Sequence, residues 1–170
     1  LRIAPHWAKI HNNLGIVLKR QGKLKEAIDH YSEALRINSD YEEAHYNLGN
    51  ALKSQGDLEK AMNHYSQALR IKPHHVGAHL NLGVVLTRQG RLEEAMGHFS
   101  AVLQIQPDHA QAHNNLGVAL AKQGRLKEAM GHFSEVLRIN PDDGEARQNL
   151  ERALRLTGKS SDPASIVVRP

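Results

Sequence analysis

The sequence contains no cysteine, few aromatic residues and no long apolar run. Without cysteine there is neither a disulfide nor a thiol site, so the redox compartment stays undetermined. Aromatic residues make up 4% of the chain, which does not suit a large β-core. No apolar run approaches the ~20 residues needed to cross a bilayer, so direct membrane insertion is not expected. We expect a soluble chain, with the cytoplasm favoured as compartment.

The chain also lacks a block of charge of one sign. Its formal net charge is +4 and its pI is about 9.4, with acidic and basic residues mixed along the sequence. Nucleic-acid binding usually depends on a clustered basic patch. We therefore predict no nucleic-acid partner.

What the sequence does contain is a repeat with a period of 34 residues, because two sets of glycines recur at that spacing. The first set is Gly15, Gly49, Gly83 and Gly117, and the second is Gly22, Gly56, Gly90 and Gly124. A fixed period of this length is typical of a stacked repeat array, in which each unit buries its apolar face against its neighbours.

Each repeat predicts two helices joined by a turn. Leucines at the seventh and eleventh positions, such as Leu48 and Leu52, lie on one helical face. A second helical set of apolar residues follows the Gln-Gly turn. Proline then ends the second helix in three repeats, at Pro73, Pro107 and Pro141. The first repeat has a serine there, so its boundary is less strongly marked.

The register divides the chain into seven segments. We assign 1–7 to the end of an upstream repeat, 8–41, 42–75, 76–109 and 110–143 to four full repeats, 144–158 to a capping helix, and 159–170 to a flexible tail. In the capping helix, Glu151 replaces the first glycine of the pattern and no second helix follows.

Several positions agree in all four repeats and resemble the tetratricopeptide repeat. The shared residues are leucine at the seventh position, glycine at the eighth, alanine at the twentieth and tyrosine or phenylalanine at the twenty-fourth. The sequence departs from the family in having histidine at the fourth position, and valine at the twenty-seventh position of repeats three and four. The departing residues are His11, His45, His79, His113, Val102 and Val136. The resemblance implies an all-α fold, an α-solenoid of helix-turn-helix repeats that forms a right-handed superhelix with a C-terminal capping helix.

In this family the first helix of each repeat lines a concave groove, and the sixth position points into it. Asparagine occupies that position five times, at Asn13, Asn47, Asn81, Asn115 and Asn149. An amide can both donate to and accept from the backbone of an extended peptide. The resulting asparagine ladder is similar to the one in the repeat array of O-linked N-acetylglucosamine transferase. The alternative is that these amides stabilise the array itself.

Other groove positions define the expected ligand. The predicted peptide-binding surface includes polar, apolar and basic residues, namely Tyr46, Asn50, Asn114, Leu80, Val84, Val118, Lys53, Arg88 and Lys122. This combination favours an extended protein or peptide segment with small apolar side chains and some acidic residues. Repeats three and four differ at groove positions, for example Gly77 against Gln111, while they share most of the frame.

No catalytic, cofactor or metal site is predicted. The chain has no phosphate-binding glycine loop and no inward pair of carboxylates. Equivalent histidines of successive repeats lie too far apart to share one ion. The pairs His75 with His79 and His109 with His113 have the i, i+4 spacing of a weak chelate.

The sequence therefore predicts a non-catalytic protein-interaction module that binds an extended peptide. One alternative is the substrate-recognition domain of a larger glycosyltransferase. Another is a scaffold that forms homo-oligomers, either through an exposed repeat edge near Trp7 or through the tail at 166–168.

Overall fold

The computed structural model describes residues 4–158, and within that range the chain forms nine α-helices and no strand. The helices are α1 (Ala4–Arg20), α2 (Leu24–Ile37), α3 (Glu42–Gln55), α4 (Leu58–Ile71), α5 (Val76–Arg88), α6 (Leu92–Ile105), α7 (Ala110–Lys122), α8 (Leu126–Ile139) and α9 (Gly144–Leu156). The predicted all-α class is confirmed. The expected flexible tail and its apolar stretch at 166–168 lie outside the described residues.

The chain folds as two compact units, Leu1–Val85 (unit 1) and Leu86–Pro170 (unit 2). In unit 1, α1 packs on α2, α2 on α3 and α3 on α4. In unit 2, α6 packs on α7, α7 on α8 and α8 on α9. Each unit thus has the helix succession of a solenoid. We call the odd-numbered helices A-type and the even-numbered helices B-type.

The helices end at the residues that the turn glycines and the repeat register predict. The B-type helices end at the same register position, Ile37, Ile71, Ile105 and Ile139. Proline two residues later is therefore not required, since α2 ends in register although Ser39 stands at that place. The A-type helices are followed by glycine in the left-handed region, for example Gly56 at φ 93°. At the N-terminal side, α1 begins at Ala4, so residues 4–7 belong to its first turn.

The two helices of a repeat meet where a ring lies against a glycine. A Cβ built on Gly49 would lie 2.7 Å from Cε1 of Tyr65, and one on Gly117 would lie 2.6 Å from Cε1 of Phe133. Both rings are almost fully buried. The glycine at the eighth position is therefore needed for close approach of the B-type ring to the A-type backbone.

The histidines at the fourth and twenty-third positions form pairs inside a repeat. The two Nδ1 atoms are 2.9 to 3.0 Å apart in three of these pairs, His11 with His30, His45 with His64 and His113 with His132. Nε2 of His45 lies 2.9 Å from the Ser39 carbonyl oxygen, which can only accept. His45 therefore carries its proton on Nε2, so its Nδ1 accepts from Nδ1–H of His64.

Burial makes three of these histidines resist protonation. It lowers the pKa of His45 and of His132, and it lowers the pKa of His64 to about 4. The charge of the partner histidine acts in the same direction on His64 and His132. In the folded chain these side chains stay neutral at pH values where an exposed histidine is charged.

One face of α1 is exposed although its register equivalents are buried. Leu14 is 41% exposed, whereas Leu48 and Leu116 at the same position are 4% and 7% exposed. Trp7, Ile10 and Val17 lie on the same face and are also exposed. In each unit, a B-type helix precedes the next A-type helix and packs on it. Among the described residues no helix precedes α1.

Substitution of Gly49 tests whether its close contact with the Tyr65 ring stabilises the fold. Gly49→Ala would force a methyl group against the Tyr65 ring, so we expect a loss of about 1–2 kcal/mol in the free energy of unfolding, measured by urea denaturation. Gly131→Ala is the matched control, because nothing lies within 4 Å of its Cβ and the residue is exposed in α8. That variant should gain about 0.5–1 kcal/mol from helix propensity. Equal effects of the two substitutions would contradict the packing role.

The lowered histidine pKa values predict that the folded chain loses stability in acid. The unfolded chain binds these protons near the ordinary histidine pKa of 6.5, whereas folded His64 binds one only near pH 4. The unfolded state therefore binds more protons between these values, and the free energy of unfolding decreases as the pH falls through this window. We expect a loss on the order of 1–2 kcal/mol between pH 7.5 and 5.0, allowing for solvent screening of half-buried groups. His64→Asn keeps a donor without titrating, and an undiminished pH dependence in that variant would refute the assignment.

Candidate functional site

The asparagine ladder places one amide on each A-type helix. Asn13 on α1 is exposed, and the amides on α3, α5, α7 and α9 are half-buried. Their surroundings differ from helix to helix. Three of the five donate to another side chain of the same unit, one is exposed without a recorded bond, and one has no partner.

In unit 1 the ladder amides on α3 and α5 bond to the preceding A-type helix. Nδ2 of Asn47 donates to Oδ1 of Asn12, at 3.0 Å, and Asn12 is only 1% exposed. Nδ2 of Asn81 donates to Oδ1 of Asn50 at 2.8 Å. Nζ of Lys53 donates to Oδ1 of Asn81 at 2.7 Å. These bonds connect successive A-type helices through their side chains.

Asn50 also accepts from the hydroxyl of Tyr65 at 2.9 Å, so its carbonyl oxygen receives two donors. Tyr46 lies beside this cluster, with its ring centroid 4.6 Å from that of His75 and 6.2 Å from that of Tyr65. A Cβ on Gly77 would lie 2.7 Å from the Tyr46 hydroxyl oxygen. The glycine that varies between repeats three and four therefore leaves room for Tyr46.

Unit 2 contains a second amide pair and an amide without a partner. Nδ2 of Asn149 donates to Oδ1 of Asn114 at 3.2 Å, and Nδ2 of Asn114 donates to Glu145 at 3.0 Å. Nδ2 of Asn115 is buried and has no hydrogen-bond partner anywhere in residues 4–158. A buried donor without an acceptor costs about 1–3 kcal/mol, so this amide is the ladder member that would gain most from a ligand acceptor.

A cavity of about 290 Å³ lies beside Asn149 in unit 2. Apolar side chains form most of its lining, and two cationic side chains stand at it. The lining residues are Val118, Ala121, Lys122, Leu126, Phe133, Asn149, Arg152, Ala153 and Leu156. Three of these, Val118, Lys122 and Asn149, were predicted as site residues, and the cavity brings them together.

The remaining predicted residues are not among those that line this cavity. Leu80 and Val84 are half-buried on α5, and Arg88 is exposed at the end of that helix. Tyr46, Asn50 and Lys53 belong to the hydrogen-bonded cluster in unit 1.

Sequence reasoning predicted Asn50 and Asn114 as site residues but not as hydrogen-bond partners of the ladder, and it did not include Asn12. Asn12 immediately precedes Asn13, and the same doublet recurs as Asn114 and Asn115. The doublet was a usable signal that the fifth position supplies acceptors to the ladder. Phe133 and Leu156 carry no such signal, because only packing brings them to the cavity.

The histidines that were spaced for a weak chelate are used otherwise. Nδ1 of His75 and Nδ1 of His109 accept from the backbone at their helix N-termini. Nε2 of His79 and Nε2 of His113 lie 2.8 Å from carbonyl oxygens. No group of three or more His, Cys, Asp or Glu residues in the described part of the chain could hold a metal ion.

None of the helices between residues 4 and 158 is both long and apolar enough to cross a membrane.

Comparison of this sequence with models of known protein families identifies its family. Models described as TPR repeat match residues 17–56 and 49–90, and a model described as tetratricopeptide repeat matches residues 86–154. The chain belongs to the tetratricopeptide repeat family. This agrees with the resemblance drawn from the sequence, and the family generally serves as a protein-interaction scaffold. A search among curated proteins gave no match.

Solved structures of tetratricopeptide repeat (TPR) proteins share the fold. MamA from Desulfovibrio magneticus RS-1 is 24% identical with a TM-score of 0.87, over 94% of this chain and 90% of that one. YrrB, described as a TPR protein with an unusual peptide-binding site, is 22% identical with a TM-score of 0.81, over 92% and 80%. PilF from Pseudomonas aeruginosa is 21% identical with a TM-score of 0.80, over 92% and 71%. At these identities the likeness shows the fold alone, a helical solenoid.

Proposed function

We propose that this chain is a non-catalytic interaction module that binds an extended peptide along its A-type helices, with ladder amides bonding to the peptide backbone. The observation that carries the proposal is the unpartnered Nδ2 of Asn115. The native state tolerates the cost of this donor, and a peptide carbonyl that reaches it after a small rotation of the amide would remove that cost.

The ladder divides into two roles under this proposal. Asn47, Asn81 and Asn149 bond to neighbouring side chains, so they fix the spacing of the A-type helices and present their remaining polar atoms to a ligand. Asn13 is exposed and bonds to no other side chain within residues 4–158, and Asn115 bonds to the peptide after its buried amide rotates. A peptide-binding site in YrrB, a protein of the same fold, supports this kind of ligand.

The test separates binding from stability. The 170-residue chain is used to select peptides from a random dodecapeptide phage library. Fluorescence anisotropy then measures the dissociation constant of the enriched peptide. We expect Asn115→Ala to weaken binding by about 3- to 30-fold without lowering the free energy of unfolding, because the substitution removes a buried donor that has no acceptor. Asn47→Ala is the matched control. It removes a donor from buried Asn12 and should cost about 1 kcal/mol of stability.

Two outcomes would refute the proposal. One is that the wild-type chain enriches no peptide family. The other is that Asn115→Ala binds the enriched peptide as tightly as wild type does. The alternative of a recognition domain within a larger glycosyltransferase depends on the ladder alone and stays a prediction.

A second role, self-association through α1, is supported by the exposed face of that helix. Trp7, Ile10, Leu14 and Val17 are spaced three and four residues apart, as in the seam of two packed helices. A second copy could cover this face with its own α1. Light scattering should then show a mass that rises with concentration, and Leu14→Lys should abolish the rise. A constant monomer mass would exclude this role.

A further inference from the structure

We infer that the cavity in unit 2 binds a bulky apolar side chain of the peptide, and that Lys122 and Arg152 bind an aspartate or glutamate beside it. The inference rests on the proposed function and names the ligand class. It concerns a peptide whose recognised element is an apolar residue within one or two positions of an acidic residue.

The size and lining of the cavity suit a single side chain. Its volume of about 290 Å³ lies at the lower end of the range of about 300–1,000 Å³ for ligand pockets, so a leucine or phenylalanine side chain fits better than a cofactor. Phe133 is almost fully buried at the cavity, with Val118 and Leu126 beside it. Burying an apolar side chain against these groups removes its surface from water.

The two cations at the cavity have no counter-charge. Lys122 and Arg152 are exposed, and neither forms an ion pair or a hydrogen bond within the described residues. No aspartate or glutamate lines the cavity. Elsewhere in unit 2 several arginines are paired, for example Arg125 with Glu128 at 2.6 Å. A carboxylate beside the apolar side chain would therefore meet two unpaired cations.

Repeat two, in unit 1, carries polar side chains at three positions that line the cavity in repeat four. The positions of Val118, Ala121 and Phe133 are occupied in repeat two by Asn50, Lys53 and Tyr65. The tyrosine hydroxyl bonds to Asn50, and Lys53 bonds to Asn81, so the polar side chains at these positions satisfy one another with hydrogen bonds. In unit 2, valine, alanine and phenylalanine lack those polar atoms.

The lysine also stands at different positions in repeats two and four. Lys53 stands at the twelfth position of its repeat, whereas Lys122 stands at the thirteenth, where repeat two has Ser54. In unit 1 the lysine therefore bonds within the protein, and in unit 2 the twelfth position is the small Ala121. Repeat two thus supplies serine as a matched substitution for Lys122.

The experiment compares the unchanged 170-residue chain with two variants. One alters the cavity alone, and the other alters the two cations alone. Ala121→Leu fills the cavity and keeps both cations. Lys122→Ser with Arg152→Gln removes both cations and keeps the cavity, and its serine is the residue of repeat two. The probe is a positional-scanning library of dodecapeptides that are acetylated at the N-terminus and amidated at the C-terminus. A fluorescein-labelled peptide from the enriched class then gives dissociation constants.

The wild-type chain should enrich a bulky apolar residue within two positions of aspartate or glutamate. Exchanging that apolar residue for alanine, or the acidic residue for glutamine, should weaken wild-type binding about tenfold each. The Ala121→Leu variant should lose sensitivity to the apolar exchange alone. The double variant should lose sensitivity to the acidic exchange alone, together with most of the salt dependence of binding.

The outcomes distinguish this inference from the proposed function. If the wild-type chain enriches no peptide, the proposed function fails. If peptides bind and Asn115→Ala weakens them, but both cavity variants keep the wild-type preferences, the function stands and this inference is overturned. Enrichment only from a matching library with free C-terminal carboxylates would also overturn it, because the anion would then be a chain terminus.

Discussion

Close contact between an aromatic ring and a glycine backbone is the constraint on which this structure depends. In repeats one, two and four, the ring at the twenty-fourth position occupies the space that a Cβ at the eighth position would need, as Tyr65 does against Gly49. This contact sets how closely the B-type helix approaches the A-type helix. The A-type helix in turn carries the ladder amide two residues before that glycine, so the contact fixes the depth at which each amide lies.

The helices and turns could be predicted because each depends on residues that are close together in the sequence. Leucine spacing, the turn glycines and the prolines each act within one helix or one turn, and the observed helices follow them. The amide pairs could not be predicted in the same way. Whether Asn81 meets Asn50 depends on the offset between successive A-type helices, which no spacing within one helix specifies. The cavity likewise depends on that offset, since Phe133 and Leu156 meet only through packing.

The histidines show a related limit of sequence reasoning. The comparison of equivalent positions considered only the distance from one repeat to the next. The contact that forms is within a repeat, between side chains 19 residues apart such as His45 and His64. The family's usual aromatic at the fourth position is thereby replaced by a planar ring that also satisfies a hydrogen bond. Burial of such a ring is tolerated because the partner and a backbone carbonyl occupy its two nitrogens.

Tyr46 and Gly77 give the repeats a fixed order. The Tyr46 hydroxyl lies where any side chain at the second position of the next repeat would begin. Repeat four has Gln111 at that position, so it could not follow repeat two without displacing the tyrosine. The repeats share a frame but are not interchangeable modules. A shuffled array would keep every helix and every turn and still lose the fit between neighbours.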